Sequence, residues 1–181
     1  MGPRLGLLLR WGLPWATMGL AVAVFGLGVV ATGAYDTTAT TPHPALVAWA
    51  THATMVQSVR REAASLPPPR RFTAADVAAG ARLYDANCVA CHGAPGVARA
   101  AWTDGLTPNP PYLLDAGRQF TPNELYWIVR HGVKMTAMPS WEQTMSQSDV
   151  WTIVAFLSAL PEMSAADYAR ERGASPQGAT P

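Results

Sequence analysis

The sequence has little cysteine and little charge. Only two of its 181 residues are cysteines, which is too few for a disulfide framework, so any thiol chemistry must be local. Charged residues make up 14% of the chain, and 13 basic side chains nearly balance 12 acidic ones. Because this balance leaves no strongly basic surface, we expect no nucleic-acid partner.

Several catalytic patterns are also missing. The chain shows no paired carboxylates, no Ser–His–Asp order and no glycine-rich phosphate loop. It has no internal repeat, and its long Gly- and Pro-rich loop between residues 93 and 117 shows no strand-like alternation. The missing motifs support none of the corresponding enzyme classes, and the lack of strand-like alternation favours an all-α domain.

Charge is absent from a long stretch near the N-terminus. Arg4 and Arg10 are followed by an uncharged run from Trp11 to Tyr35, which is long enough to span a bilayer as a helix. We predict a cytoplasmic segment over residues 1–10 and a transmembrane anchor over 11–35. Cleavage after Ala34, which would make the run a signal sequence, stays open.

The flanking charges predict the orientation of this anchor. Both arginines precede the apolar run, so the positive-inside tendency places the N-terminus in the cytoplasm. The remainder of the chain would then lie in the periplasm of a bacterium, attached to the cytoplasmic membrane by a single pass.

Proline and polar residues divide the exported part. We predict a linker and spacer helix over 36–71, with the helix from Ala45 to Leu66 ended by the run PPPRR. A compact domain follows over 72–163. Residues 164–181 become rich in small and polar residues towards the end of the chain and are expected to form a disordered tail. The role of the spacer helix, as a partner-binding element or a solvated spacer, stays open.

Three helices are predicted in the compact domain from their N-terminal caps. Thr73 with Asp76 and Thr121 with Glu124 have the spacing of a capping box. The third helix has Ser148 or Ser146 as its cap and an apolar body that ends at Pro161.

Both cysteines stand in one short sequence, CVACH, as Cys88 and Cys91 followed by His92. A structural zinc site would need a fourth ligand from a second cluster, and a thioredoxin-like dithiol would need a strand before its helix. Attachment of haem uses every element, because the two thiols add to the two vinyl groups and the imidazole binds the iron. The sequence therefore predicts one haem c, covalently attached through Cys88 and Cys91, with His92 as a metal ligand.

The second axial ligand must come from elsewhere in the chain. The stretch HGVKMTAMPSW offers Met135 and Met138, and we favour Met138 because Pro139 stiffens the chain beside it. Met135 is interpreted as packing. His43, His52 and His131 are interpreted as structural.

With these motifs, residues 73–160 resemble the class I c-type cytochromes in their membrane-anchored bacterial monohaem form. In that family a glycine and an aromatic residue on the first helix meet an aromatic residue on the last helix, which implies Gly80, Tyr84 and Phe156 here. The resemblance also implies that a proline carbonyl accepts a hydrogen bond from the proximal histidine, a role we assign to Pro111, with Pro110 as the alternative. The expected fold is all-α, a cytochrome c domain around one covalent haem.

Iron held by His92 and Met138 has no position free for a substrate, so the expected function is electron transfer in a respiratory chain or dehydrogenase complex. The expected partners are redox proteins: an oxidase, a quinol-oxidising complex or a dehydrogenase. A haem enzyme with an open sixth position, or an assembly or sensor subunit, is the alternative. The sequence leaves open the donor and acceptor, the reduction potential, and whether the protein is a free carrier or a fixed subunit.

Overall fold

The computed structural model describes residues 3–173 and is helical, with no strand in that part of the chain. Residues 1–2, which begin the predicted segment 1–10, lie outside the described part of the chain. Residues 174–181, which end the predicted segment 164–181, also lie outside it. The described residues form two compact units, one within residues 1–41 and one within residues 42–181. The α-helices are α1 Pro3–Thr32, α2 Ala45–Ala63, α3 Ala74–Asn87, α4 Val89–His92, α5 Ala116–Gln119, α6 Pro122–His131, α7 Gln147–Ala159 and α8 Ala165–Gly173. Two short 3₁₀ helices cover Ala101–Gly105 and Leu160–Glu162.

The first unit consists of α1 and the residues that follow it. Within α1, Gly12–Thr32 is long and apolar enough to cross a membrane, by length and composition. A signal sequence would pass the same test, so anchor and signal both remain compatible with the helix.

The second unit is built around the crossing of α3 and α7. A Cβ at Gly80 would lie 1.9 Å from the carbonyl oxygen of Thr152, so only glycine permits this approach of the two backbones. Tyr84 and Phe156 then meet with ring centroids 4.9 Å apart, as the family resemblance implied. Both side chains are fully buried. Close helix contact at a glycine therefore creates the core of the unit.

The caps predicted from sequence are present. Thr73 and Asp76 form a reciprocal capping box at α3, and Thr121 and Glu124 form one at α6. At α7 the capping residue is Ser146, paired with Asp149, and not Ser148. The α7 helix starts two residues earlier than a Ser148 cap would allow, because the Ser146 N–H donates to the Asp149 carboxylate.

Helix α2 packs on α6, with Val59 and Ala63 buried. The amide of Asn123 donates to the carbonyls of Ala63, Leu66 and Pro67, at 3.5, 3.3 and 3.3 Å. The second unit accordingly begins at Pro42, well before the expected start at Phe72. Helix α2 ends at Ala63, earlier than the predicted end at Leu66 and before the proline run that starts at Pro67, and that run does not separate two domains.

The expectation of a disordered tail from residue 164 is wrong for residues 165–173, which form α8. Tyr168 is fully buried between α3 and α7, with its ring 5.9 Å from that of Phe156. Its hydroxyl donates to the carboxylate of Asp85 at 2.8 Å. A buried aromatic side chain with a satisfied hydroxyl, together with an ion pair from Arg172 to the same Asp85 at 3.2 Å, thus holds α8 in place despite the polar composition of the segment.

Candidate functional site

The two cysteines lie where α3 ends and α4 begins. Cys88 closes α3 through a hydrogen bond from its backbone N–H to the Tyr84 carbonyl, at 2.8 Å. Its own carbonyl accepts from the N–H groups of Cys91 and His92, at 3.1 and 2.9 Å. One tight turn therefore fixes both thiols and the imidazole relative to one another. Neither cysteine is in a disulfide.

The Cys88 thiol lies among apolar side chains. Burial, with a smaller contribution from Cys91, raises the pKa of Cys88 to about 12. The sulfur therefore stays protonated at neutral pH. A protonated, unbridged thiol is the form whose S–H can add across a vinyl double bond.

His92 is buried, and its ring is held by one hydrogen bond. Its Nδ1 lies 2.8 Å from the carbonyl oxygen of Pro111. A carbonyl has no proton to give, so Nδ1 carries the hydrogen and donates it. This leaves Nε2 with a lone pair. The contact between His92 and Pro111 is the one that the resemblance implied, and Pro110 does not make it.

Burial also keeps the imidazole neutral. Desolvation lowers the pKa of His92, and the nearby Arg99 guanidinium adds to that effect, while the bond to Pro111 opposes it. A neutral imidazole with its Nδ1–H engaged is the form that binds a metal through Nε2. The donor set of this turn therefore fits an iron porphyrin: two thiols and one oriented, neutral imidazole.

The turn after His92 depends on glycine. Gly93 has a φ of 64°, and a Cβ there would lie 2.8 Å from the ring of Tyr112. Its carbonyl accepts a hydrogen bond from the buried Tyr84 hydroxyl at 2.6 Å. The site is thus tied directly to the core between α3 and α7.

Met138 lies on a different segment, after α6, and its side chain is partly buried. Its N–H donates to the Thr136 hydroxyl at 3.0 Å, and its carbonyl accepts from the Val133 N–H at 3.2 Å. A Cβ at Gly132 would lie 2.7 Å from the Met138 carbonyl oxygen and 2.5 Å from Pro139, so glycine lets this loop fold back on α6. These contacts fix the loop independently of the cysteine turn.

Met135, on the same loop, is 92% exposed and has a φ of 58°. The interpretation of Met135 as packing is therefore wrong, because a side chain this exposed packs against nothing. Trp127 lies beside His131, with ring centroids 4.1 Å apart. The Nδ1 of His131 lies 3.6 Å from a carboxylate oxygen of Glu142, so this histidine takes part in surface contacts.

One residue near the site was missed from the sequence. Arg99 donates to the Pro110 carbonyl at 2.6 Å and to Asp104 at 2.9 Å. It is the sole charged residue between Gly93 and Thr103. An isolated charge in an uncharged loop was the signal that could have identified it.

Comparison with known proteins identifies the part of the chain that holds these residues. Residues 75–157 match the family model described as cytochrome c oxidase, cbb3-type, subunit III. The chain is also 32% identical over 105 residues to a quinohemoprotein alcohol dehydrogenase of Comamonas testosteroni. That match covers 58% of this chain and 14% of the dehydrogenase, so the chain spans a small part of its relative.

Proposed function

We propose that this chain, as a c-type cytochrome, carries single electrons through one haem. We place that haem on the periplasmic side of a bacterial membrane as part of the same proposal. A cytochrome c domain implies covalently bound haem c and an electron carrier, not a catalyst that turns over substrate. The observation that supports the assignment best is the hydrogen bond from His92 Nδ1 to the Pro111 carbonyl, because it orients a neutral imidazole beside two free thiols.

Four side chains would hold the haem. Cys88 and Cys91 would hold it covalently, each adding its S–H across one vinyl group, so that two C–S bonds would form, two C=C bonds would become single and no atom would leave. His92 would bind the iron through Nε2, and Met138 would bind it through its sulfur from the loop after α6. Bound haem supplies an iron that alternates between ferrous and ferric states.

The protein's part is to orient and to exclude water. Pro111 fixes the plane of the His92 ring and makes the imidazole a stronger donor. Thr136 and Gly132 hold the Met138 loop in one conformation. If His92 and Met138 both hold the iron, the two segments that carry them would need little rearrangement when the haem gains or loses an electron.

The location follows from the first helix. Residues 12–32 of α1 would anchor the protein, with residues 1–10 in the cytoplasm and the haem domain in the periplasm. We propose that the predicted segments have separate functions: an anchor over 11–35, a linker and spacer helix over 36–71, and a haem domain over 72–163. The spacer helix α2 packs on the haem domain.

The partners are redox proteins. The matched family is described as an oxidase subunit, and the similar protein is named a quinohemoprotein alcohol dehydrogenase. We therefore propose that this chain is a subunit or carrier that exchanges electrons with an oxidase, a quinol-oxidising complex or a dehydrogenase. Gentle solubilisation of the membrane, followed by identification of the proteins that co-purify with the haem-stained band, tests this placement.

Attachment is tested on protein matured in a host that assembles c-type cytochromes. The denatured chain should stain for haem and gain the mass of one intact haem. Cys88→Ala and Cys91→Ala should each lose one thioether, and the double variant should lose all covalent haem. A colourless denatured chain with no added mass would contradict the proposal.

Ligation by Met138 is tested by the weak red absorption band of oxidised haem with sulfur bound to iron. Met138→Ala should abolish this band, whereas Met135→Ala, on the same loop, should keep it. If Met138→Ala retains the band, the sulfur comes from elsewhere. If the unchanged protein lacks the band and binds small ligands, the open-iron alternative is correct.

A further inference from the structure

The loop that carries Pro111 has few means of holding itself in place. Residues 104–112, DGLTPNPPY, contain three prolines, at 108, 110 and 111. Proline has no backbone N–H, so these positions cannot donate to a turn or helix. Yet the carbonyl of Pro111 must keep its position within hydrogen-bond distance of His92. Within the segment, the N–H of Leu106 and the side-chain amide of Asn109 donate to the Thr103 carbonyl, at 3.1 and 3.3 Å, and neither bond is made to Pro110 or Pro111.

Arg99 contacts this segment at three points. Its Nη1 donates to the Pro110 carbonyl at 2.6 Å, and its Nη2 donates to Asp104 Oδ1 at 2.9 Å. Its Cζ lies 4.8 Å from the ring centroid of Tyr112. The Arg99 side chain is 18% exposed, whereas that of Asp104 is 69% exposed. One planar cation thus holds the beginning, middle and end of the segment, a geometry that lysine cannot reproduce.

The surface ion pair does not explain this arrangement. A pair whose carboxylate is mostly in water contributes little to stability. The bond to the Pro110 carbonyl is different, because Pro110 is joined by one peptide bond to Pro111, which accepts from His92. Whatever fixes one carbonyl limits the movement of the next.

We infer that Arg99 is a positioning residue for the proximal histidine: it acts through Pro110 to hold the Pro111 carbonyl against His92 Nδ1. The inference rests on the proposed function, since it concerns the ligand His92 in the haem-bound protein. Loss of Arg99 would free the segment 104–112 and weaken the bond to His92. The imidazole would become a weaker donor to iron, which favours the ferrous state and raises the reduction potential.

The direct test is the exchange rate of the His92 Nδ1 proton with solvent, measured by NMR in the reduced holoprotein. In Arg99→Gln we expect exchange roughly tenfold faster than in the unchanged protein. Exchange of the backbone amides of α3 and α7 should stay unchanged, because the core does not use Arg99. Equal exchange at His92 in both proteins would overturn the inference.

The matched control is Arg118→Gln. Arg118 also bonds to carboxylates on two segments, Asp115 and Glu162, but it does not contact the segment 104–112. Loss of Arg118 should leave the exchange rate of the His92 Nδ1 proton and the reduction potential of the haem unchanged. Asp104→Asn removes the ion pair and keeps the donor to Pro110, so it should also leave His92 exchange within about twofold of the unchanged protein.

A second variant separates position from charge. Arg99→Lys keeps the positive charge but loses the forked contact, so its potential should rise above that of the unchanged protein, with faster His92 exchange. A potential equal to that of the unchanged protein would contradict the positioning role. If both Arg99 variants fail to retain haem while Arg118→Gln retains it, Arg99 is needed for assembly and the inference is wrong. Absence of haem from the unchanged protein would instead refute the proposed function.

Discussion

The helix crossing (α3 and α7) and the site loops (residues 93–114 and 132–145) hold their shape by different means. In the crossing, the side chains of Tyr84, Ile153 and Phe156 are fully buried and pack on one another and on Tyr168. In the site loops, Thr103 is the fully buried side chain among the described residues, and single hydrogen bonds hold each segment. The crossing is a closed apolar core, whereas the loops rest on individual polar contacts.

This difference indicates which part of the domain contributes most to its free energy of unfolding. Apolar burial stabilises the crossing, since its contribution scales with the area removed from water. The loops bury little of their own and would gain most from a large apolar group placed against them. Substitutions in the crossing should therefore change global stability, and substitutions in the loops should change the properties of the haem.

The largest effect is expected for Phe156→Ala in the crossing. Removing a fully buried ring between Tyr84 and Tyr168 leaves a cavity, and the free energy of unfolding should fall by about 4 kcal/mol. Chemical denaturation followed by circular dichroism measures the loss. Leu46→Ala, at an exposed position on α2, should cost less than about 0.5 kcal/mol. Similar losses in the two variants would break the comparison.

The next effect is expected for Gly80→Ala. The new Cβ would clash with the Thr152 carbonyl, which belongs to a helix backbone and cannot rotate away. We expect a loss of about 3 kcal/mol, at the upper end for overpacking, because α3 and α7 must separate. The same denaturation experiment applies. Gly105→Ala, where a Cβ meets nothing within 4 Å, is the control and should be nearly neutral.

A glycine-to-alanine substitution in the site loops should affect the haem as well as the stability of the domain. Gly132 has φ 68° and ψ −169°, a conformation open almost only to glycine, and a Cβ would also strike Pro139. Gly132→Ala should cost about 2 kcal/mol and displace the Met138 loop. The red absorption band of the oxidised protein should weaken or vanish, whereas Gly80→Ala molecules that remain folded should keep it. A retained band in Gly132→Ala would show that the loop tolerates the shift.

The smallest expected effect is the loss, at low pH, of the stability that the charged Asp167 gives to α8. Hydrogen bonds from Ser164, together with Arg170, lower the pKa of Asp167 from 3.8 to about 2. Because the folded-state pKa is depressed, the charged carboxylate stabilises the fold above pH 3.8, and this contribution is lost as the pH falls towards 2. The difference in unfolding midpoint between the unchanged protein and Asp167→Asn should therefore shrink over that range. A constant difference would show that the charge of Asp167 does not stabilise α8.

Local signals in the sequence predicted much of the helical domain. The capping pairs at Thr73 and Thr121 act within one turn, so their residues alone determine where α3 and α6 begin. The turn of Cys88, Cys91 and His92 is equally local. The contact of His92 with Pro111 was accessible only through the family resemblance, since no local pattern in the eighteen intervening residues predicts it.

Other features depend on contacts between distant residues. The helical tail at α8 was predicted to be disordered because its composition is polar, but Tyr168 finds a place against Phe156 that no local pattern shows. The packing of α2 on α6 likewise depends on Asn123, far along the chain from Ala63. The contacts of Arg99 became visible only when Pro110 and Asp104 were placed around it.

The sequence by itself determined where α3 and α6 begin, the apolar N-terminal run and the cysteine turn, because each depends on neighbours within a few residues. Tertiary structure alone decided which carbonyl faces His92, which cation holds that carbonyl, and that α2 and α8 belong to the folded unit. The physical reason is distance along the chain. Hydrogen bonds and packing between remote segments depend on how the whole domain folds, and no short pattern of residues encodes them.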